Sequence, residues 1–197
     1  AGLGGGDAAA PAAPAAADAA PSCAFAVQDA LALPAEWTGR FDLVWSLESG
    51  EHMPDKPRFV AQRARACAPR GRVILVTWCH RDLRARERAL SLVERALLGG
   101  INACYYLPRW CSVADYDALL TAEGLRDVRT ADWTPRIAPF WPAVIRTAAR
   151  PRNALKLLRT GVDGVRSALA MFLMVIGYKM GLIKFGLITA VKPPPSS

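Results

Sequence analysis

Phe41-Asp42-Leu43-Val44-Trp45-Ser46-Leu47-Glu48-Ser49-Gly50-Glu51-His52-Met53-Pro54-Asp55-Lys56 is the stretch from which the rest of the chain can be read. Phe41, Leu43, Val44 and Trp45 form a short apolar run of the kind a sheet buries on both faces. The run turns polar abruptly: Ser46, Glu48, Ser49, Glu51 and His52 fall within seven positions. In an open α/β sheet, ligands bind at the carboxyl ends of the strands. A strand ending in Glu-Ser-Gly-Glu-His therefore carries two carboxylates and a histidine to the place where a small bound molecule would be worked on by acid/base chemistry.

Downstream, Pro54 to Ala66 reads as a helix, with Phe59, Val60, Ala64 and Cys67 on one buried face. Pro69-Arg70-Gly71 reads as its break. Arg72 to Trp78 is the clearest strand in the chain. Strand, helix, turn and strand make a βαβ unit, which predicts parallel strands and a right-handed crossover. Upstream, Ala24-Phe25-Ala26-Val27 reads as a further strand, followed by Gln28-Asp29-Ala30-Leu31. Asp29 would lie at its carboxyl end, where a carboxylate accepts hydrogen bonds from a ligand; a turn or helix-capping role is the alternative. Leu33 to Arg40 reads as a loop.

Beyond the βαβ unit, Cys79-His80-Arg81-Asp82 leads to a helix over Arg86 to Leu98, ended by Gly99-Gly100. Tyr105 to Cys111 reads as an aromatic loop. Ser112 is placed to cap a helix from Ala114 to Glu123, and Gly124 to end it. Leu125 to Trp133 is another strand. The prolines over 135–161 predict short helices, 163–180 an apolar helix, and Leu182 to Val191 a closing strand that Pro193-Pro194-Pro195 stops. Residues 1–22 are low-complexity Ala, Gly and Pro and read as a flexible segment. Residues 193–197 are a tail.

With 197 residues, 52% of them hydrophobic, the chain can bury one sizeable core. The net charge of +8 favours anionic partners. The basic residues are scattered, without interleaved aromatics, which argues against nucleic acid. Five cysteines with no CxxC spacing and only two histidines, His52 and His80, argue against a disulfide framework and against a metal site. Ala168 to Tyr178 is uncharged but short of the roughly twenty apolar residues that a spanning helix needs. A buried helix or a membrane-facing surface is the expectation there.

The order of elements resembles the second half of a Rossmann-like methyltransferase, and several blocks resemble one family closely. Residues 41–56 look like the signature of the γ-tocopherol methyltransferases of plants and algae. So do Val76-Thr77-Trp78-Cys79-His80-Arg81-Asp82-Leu83, residues 105–112, residues 132–145 and residues 181–189. The resemblance covers about 23–192. It implies an α/β fold of the class I, S-adenosylmethionine-dependent type, lacking its first strands and carrying helical lid insertions. The glycine-rich cofactor loop of such folds has no counterpart in Gly2-Leu3-Gly4-Gly5-Gly6, because no strand precedes it and no helix pattern follows. The resemblance thus has the chain start just before the family's third strand, as a fragment.

The implied activity is methyl transfer from S-adenosylmethionine to the aromatic ring of γ- or δ-tocopherol, giving α- or β-tocopherol. The implied setting is the plastid, at envelope or plastoglobule membranes, with peripheral membrane contact and a lipid-like substrate. His52 is then the first candidate base, with Glu48 or Glu51 orienting it or taking the proton instead; helix-start roles are the alternative for all three. Asp29, Ala30, Leu31 and Ser46 would contact the cofactor. Tyr105, Tyr106, Trp110 and His80 would line the chromanol pocket, the alternatives being core packing for the aromatics and a surface loop for His80. Rival readings are N-methylation of an amine, sterol methylation, and an inactive fragment that adheres to membranes.

Overall fold

The computed structural model describes residues 23–195, so the segment 1–22 and its Gly-rich stretch lie outside the described residues. Four strands form one sheet: β1 (Phe41–Leu47), β2 (Cys67–His80), β3 (Arg126–Asp132) and β4 (Ile183–Val191), in the order β1-β2-β4-β3. β1 and β2 run parallel, linked by helix α1 (Lys56–Ala66), so the βαβ unit forms. β4 lies antiparallel between β2 and β3. Helices α2 (Leu92–Tyr105) and α3 (Val113–Ala122) connect β2 to β3. Helices α4 (Thr134–Ile137), α5 (Phe140–Ala148), α6 (Pro151–Arg159) and α7 (Val162–Lys179) connect β3 to β4.

Local chemistry sets the ends of α1. The Asp55 carboxylate accepts from the Arg58 N–H at 2.9 Å, and Pro57 stands in the first turn, where its missing N–H costs nothing. At the other end Lys192 Nζ donates to the carbonyls of Ala64 and Cys67 at 2.8 and 2.9 Å, satisfying groups the helix leaves unpaired. Val73, Leu75 and Cys79 alternate onto one face of β2. They pack with Phe59 and Val60 of α1 and with Tyr116 and Leu120 of α3. Full burial of side chains such as Phe59 or Leu120 stabilises by about 1.5–3 kcal/mol each. A second cluster sits on Leu98, Ile101, Trp110, Trp141, Met174 and Ile183, where α2, α5 and α7 meet the start of β4.

Several expectations are corrected. Ala24–Val27 is not a strand: it is extended coil, with Phe25 and Val27 fully exposed. A strand needs a ladder partner, and the outer edge of β1 stays unpaired among the described residues. Nor is β1 buried on both faces. Ser46 points inward, while Leu43, Trp45 and Leu47 are more than half exposed because that face is uncovered. Pro69-Arg70-Gly71 does not separate helix from strand but forms an irregularity inside β2. There Arg70 takes a positive φ and donates its N–H to the Lys192 carbonyl. Gly71 is needed there, since a Cβ would meet the Asp42 carbonyl oxygen at 2.9 Å.

The helix read over Arg86 to Leu98 starts later and runs through Gly99-Gly100. Its start is a capping box, in which the Ser91 hydroxyl accepts from the Glu94 N–H and the Glu94 carboxylate accepts from the Ser91 N–H. The glycines do not end it because α2 packs on α7 there; a Cβ on Gly100 would come within 3.2 Å of Leu173. The helix instead ends at Tyr106, in the left-handed conformation, so Tyr105 belongs to the helix and not to a loop. α3 is capped by Ser112 as expected, and Gly124 follows it with φ +78°.

Glu94 also meets Arg81, whose guanidinium binds it at 2.7 Å and Glu87 at 2.6 Å. Arg81 holds the Glu94 carboxyl down to about 2, against an ordinary value of 4.5. A depressed carboxyl contributes stability that is present above the ordinary value and lost as pH falls through the depressed one. The loop 82–90 is therefore expected to stay protected at pH 5 and to become cleavable by an acid-active protease as the pH approaches 2. In Glu94→Gln it should be cleavable at pH 5 already; equal protection of both proteins at pH 5 would contradict the clasp.

The outward face of α7 carries Val162, Val165, Leu169, Phe172 and Ile176, with Met180 just beyond, an exposed apolar stripe at helical spacing. No helix among the described residues is long and apolar enough to cross a membrane.

Candidate active site

At the carboxyl end of β1 the backbone turns sharply. Glu48 has φ +48°, a conformation few non-glycine residues adopt, and its N–H donates to the Val76 carbonyl at 2.7 Å. The chain then makes one short turn of helix, Gly50–His52. Two groups clamp that turn. From β2, the Thr77 hydroxyl accepts from the Glu51 N–H at 3.0 Å and donates to Glu51 Oε2. From α1, Lys56 Nζ donates to the carbonyls of Glu51 and Met53 at 3.2 and 2.6 Å. Glu51 and Lys56 are both buried, and burial pulls the Lys56 ammonium below its usual range. Gly50 fits only as glycine, since a Cβ would stand 2.8 Å from both the Thr77 and the Tyr116 hydroxyl oxygens.

The clamped turn forms one lip of a cleft of about 590 Å³. Glu48, Glu51 and His52 line it together with the aromatic residues Trp78, Tyr105, Phe140 and Trp141 and with Leu107, Arg136 and Ile137. Trp141 meets Trp78 edge to face at 5.3 Å and Phe140 at 5.2 Å, which makes the aromatic wall stiff. Burial raises the Glu48 carboxyl above its ordinary value, the charge of Glu51 raises it further, and His52 pulls it partly back. Burial also raises the Tyr105 hydroxyl. The indole N–H of Trp78 is buried without a hydrogen-bond partner. Charge, a proton acceptor and a flat aromatic slot thus converge on one volume.

Of the residues singled out in the sequence, Glu48, Glu51, His52 and Tyr105 share this cleft. Ser46 is buried in β1, two residues before Glu48. Trp110 lies behind the wall, edge to face with Trp78 at 5.8 Å. Tyr106 turns outward, stacked under the Arg166 guanidinium and accepting from it. His80 lines a separate cleft with Asp82, Arg95 and Asp115, and its Nδ1 lies 2.8 Å from the Arg81 carbonyl. Asp29 forms a tight turn, its carboxylate accepting from the Leu31 N–H at 2.8 Å. The carbonyls of Ala30 and Leu31 accept from Arg63 and Arg58 of α1, and Ala30 borders a shallow cleft beside Trp37 and Trp45.

Sequence reasoning missed Trp78, Leu107, Arg136, Ile137, Phe140 and Trp141. Two signals point to them: Trp78 ends the clearest strand, where the strand-end rule applies, and four of the six fall in or beside the aromatic, proline-rich block 132–145. Among the described residues no group of three His, Cys, Asp or Glu side chains is placed to hold a metal ion.

A parallel βαβ unit, an antiparallel strand inserted next to it and a cleft at the strand ends define a class of protein, the Rossmann-like methyltransferases. A methyltransferase-domain family model matches residues 2–130, and the chain belongs to that family. It is 54% identical over 169 residues to the chloroplastic tocopherol O-methyltransferase of Arabidopsis thaliana, covering 86% of this chain and 48% of that protein. It is 34% identical over 169 residues to the norajmaline N-methyltransferase of Rauvolfia serpentina, covering 85% and 58%. The chain thus spans about half the length of the curated relatives it matches. Among solved structures it is similar to the geranyl diphosphate C-methyltransferase of Streptomyces coelicolor A3(2), crystallised with S-adenosyl-L-homocysteine. That likeness has a TM-score of 0.64 at 19% identity, over 85% of this chain and 52% of the other, and speaks to the fold.

Proposed function

We propose that the protein methylates the aromatic ring of γ- or δ-tocopherol, with S-adenosylmethionine as donor, in the chloroplast. The cleft carries this reading: an acid/base lip of Glu48, Glu51 and His52 faces an aromatic slot of Trp78, Tyr105, Phe140 and Trp141. The likeness to the Arabidopsis protein supports the substrate and the compartment.

The residues fit the donor, since carboxylates and aromatic faces both favour a sulfonium cation. S-adenosylmethionine, when bound, supplies an electrophilic methyl group. The carboxylates and aromatic faces of the cleft would hold its sulfonium end, and Ser46, Asp29, Ala30 and Leu31, none of which lines that cleft, its far end. Glu48 takes the phenol proton, which raises electron density on the ring carbon beside the hydroxyl; that carbon takes the methyl group and gives up its own hydrogen as a proton to solvent, which restores the aromatic ring, and Glu48 returns its proton to the phenol oxygen. The raised proton affinity of Glu48 makes it a stronger proton acceptor than an ordinary carboxylate. His52 stands beside it and steers its charge. Glu51, held by Thr77, fixes the turn from which both project. The aromatic wall excludes water and aligns the ring, the entropic share of the catalysis.

A second reading is methylation of an amine. It is favoured by the likeness to the Rauvolfia protein and by a carboxylate lip that would hold an ammonium. Attachment to a membrane face belongs to the first reading. Its substrate is a lipid, the α7 stripe is apolar, and the charge of +8 favours an anionic surface.

One experiment addresses these points. The protein encoded by the complete transcript is mixed with methyl-labelled S-adenosylmethionine and γ-tocopherol in anionic vesicles, beside a panel of indole amines. Label in the tocopherol ring, with protein floating alongside the vesicles, is the expected result. Label on an amine nitrogen and none in tocopherol would transfer the assignment to the second reading. No cofactor binding at millimolar concentration would leave an inactive remnant. Protein that stays at the bottom of the gradient would remove the membrane contact.

A further inference from the structure

A second groove adjoins the first. It is an open groove of about 560 Å³ between α5 and α6, and Phe140 borders both volumes. Along α5 its wall is Phe140, Ala143, Val144, Thr147 and Ala148. These fall at i, i+3, i+4, i+7 and i+8, a single helix face. The face leads away from the cleft for about 12 Å. The packing of α5 on the core uses other residues, with Trp141 as its buried anchor.

The α5 wall offers hydrocarbon and almost nothing polar. Asn153, on the α6 side, already donates its side-chain N–H to the Thr147 carbonyl at 2.9 Å. Lys156 adds a charge at the α6 border. A groove that is mostly apolar along α5, carries Asn153 and Lys156 on its α6 side and shares Phe140 with the aromatic slot fits a molecule with a flat head and a long saturated tail.

We propose that the α5–α6 groove binds the apolar isoprenoid tail of the substrate, and that the tail passes over Phe140 on leaving the head-group cleft. The proposal rests on the reading of the first cleft as the chromanol site. The two volumes are of similar size, so head and tail each have a place, and a tail left in the bilayer is the competing arrangement. Phe140 then sets specificity at the junction.

Tryptophan fluorescence tests this in the protein encoded by the complete transcript, because Trp78 and Trp141 line the head-group cleft. The probes are a tail-free chromanol and homologues with straight chains of increasing length, in the absence of vesicles. Affinity is expected to rise by up to about fourfold per added methylene, then to level off once the groove is filled. In Ala143→Trp and, separately, Thr147→Phe, the ratio of long-tail to tail-free affinity should fall at least tenfold. Should either variant misfold, the wild-type series still decides. A tail-free chromanol that binds, with homologues no tighter than it, would overturn the tail groove and leave the head-group reading standing. A tail-free chromanol that does not bind, beside an amine that does, would remove the head-group reading and the tail groove with it.

Discussion

Glu48→Gln is expected to lower turnover of a phenolic substrate by about 10²- to 10⁴-fold, the usual worth of a positioned base. The substitution keeps size and hydrogen-bonding capacity and removes only the ability to take a proton. Glu48 lines the cleft, as Glu51 does, but the Glu51 carboxylate already accepts from the Thr77 hydroxyl. Burial and the adjacent Glu51 charge both raise its proton affinity. The acid limb of kcat/KM in the parent enzyme should therefore lie above the ordinary carboxylate range and be absent from the variant. His52→Ala should cost less, about tenfold or more, since His52 shapes the charge of Glu48. Turnover of Glu48→Gln within twofold of the parent would remove Glu48 from the proton path.

The same shift has a thermodynamic side of opposite sign. A carboxyl whose pKa is higher in the folded protein holds its proton more tightly there than in the unfolded chain. Stability is then lost as pH rises through that raised value. At pH 7 Glu48→Gln should melt at a slightly higher temperature than the parent, as happens where a site is tuned for chemistry at some expense of the fold.

The largest stability loss is expected from Thr77→Val. The hydroxyl of Thr77 answers both the N–H and the carboxylate of Glu51 inside the protein. Valine has the same shape and answers neither, leaving a buried donor and a buried carboxylate unpaired, on the order of 3 kcal/mol. Thr77→Ser keeps the hydroxyl and should lose under about 1 kcal/mol. Gly50→Ala attacks the same turn sterically, pushing a methyl group against the Thr77 and Tyr116 oxygens, for about 1–3 kcal/mol. Urea unfolding midpoints measure all three. Both Thr77→Val and Gly50→Ala should also slow catalysis, because His52 belongs to the displaced turn and Glu48 leads into it. A Thr77→Val midpoint equal to the parent's would mean that the clamp carries no weight.

The β1–α1–β2 unit was legible because its determinants are local: an apolar run, an Asp55 cap, a proline in the first turn and a second apolar run. The lip of the site was legible for the same reason, since it is one continuous stretch at a strand end. What failed depended on distant partners. Ala24–Val27 has strand composition but no neighbour to pair with. Gly99-Gly100 has the composition of a helix end, but the side chains of α7 decide its conformation by packing on it. Tyr105 and Tyr106 are adjacent in sequence and part company because a left-handed residue ends the helix between their directions. The aromatic wall is assembled from the end of β2, from α2 and from α5, segments more than sixty residues apart at the extremes, which no periodicity reveals. The metal-free, nucleic-acid-free reading of the composition remains an expectation from the sequence.

The open side of β1 bears on how such proteins can be recombined. Its outer edge, unpaired among the described residues, offers main-chain groups for pairing, and those are the same in every sequence. Phe41, Leu43, Trp45 and Leu47 present their side chains on that face. Phe41–Leu47 is thus a seam. Halves drawn from different relatives should join there with four side chains to match, whereas a cut within α1 would part Glu51 from Thr77, its hydrogen-bond partner.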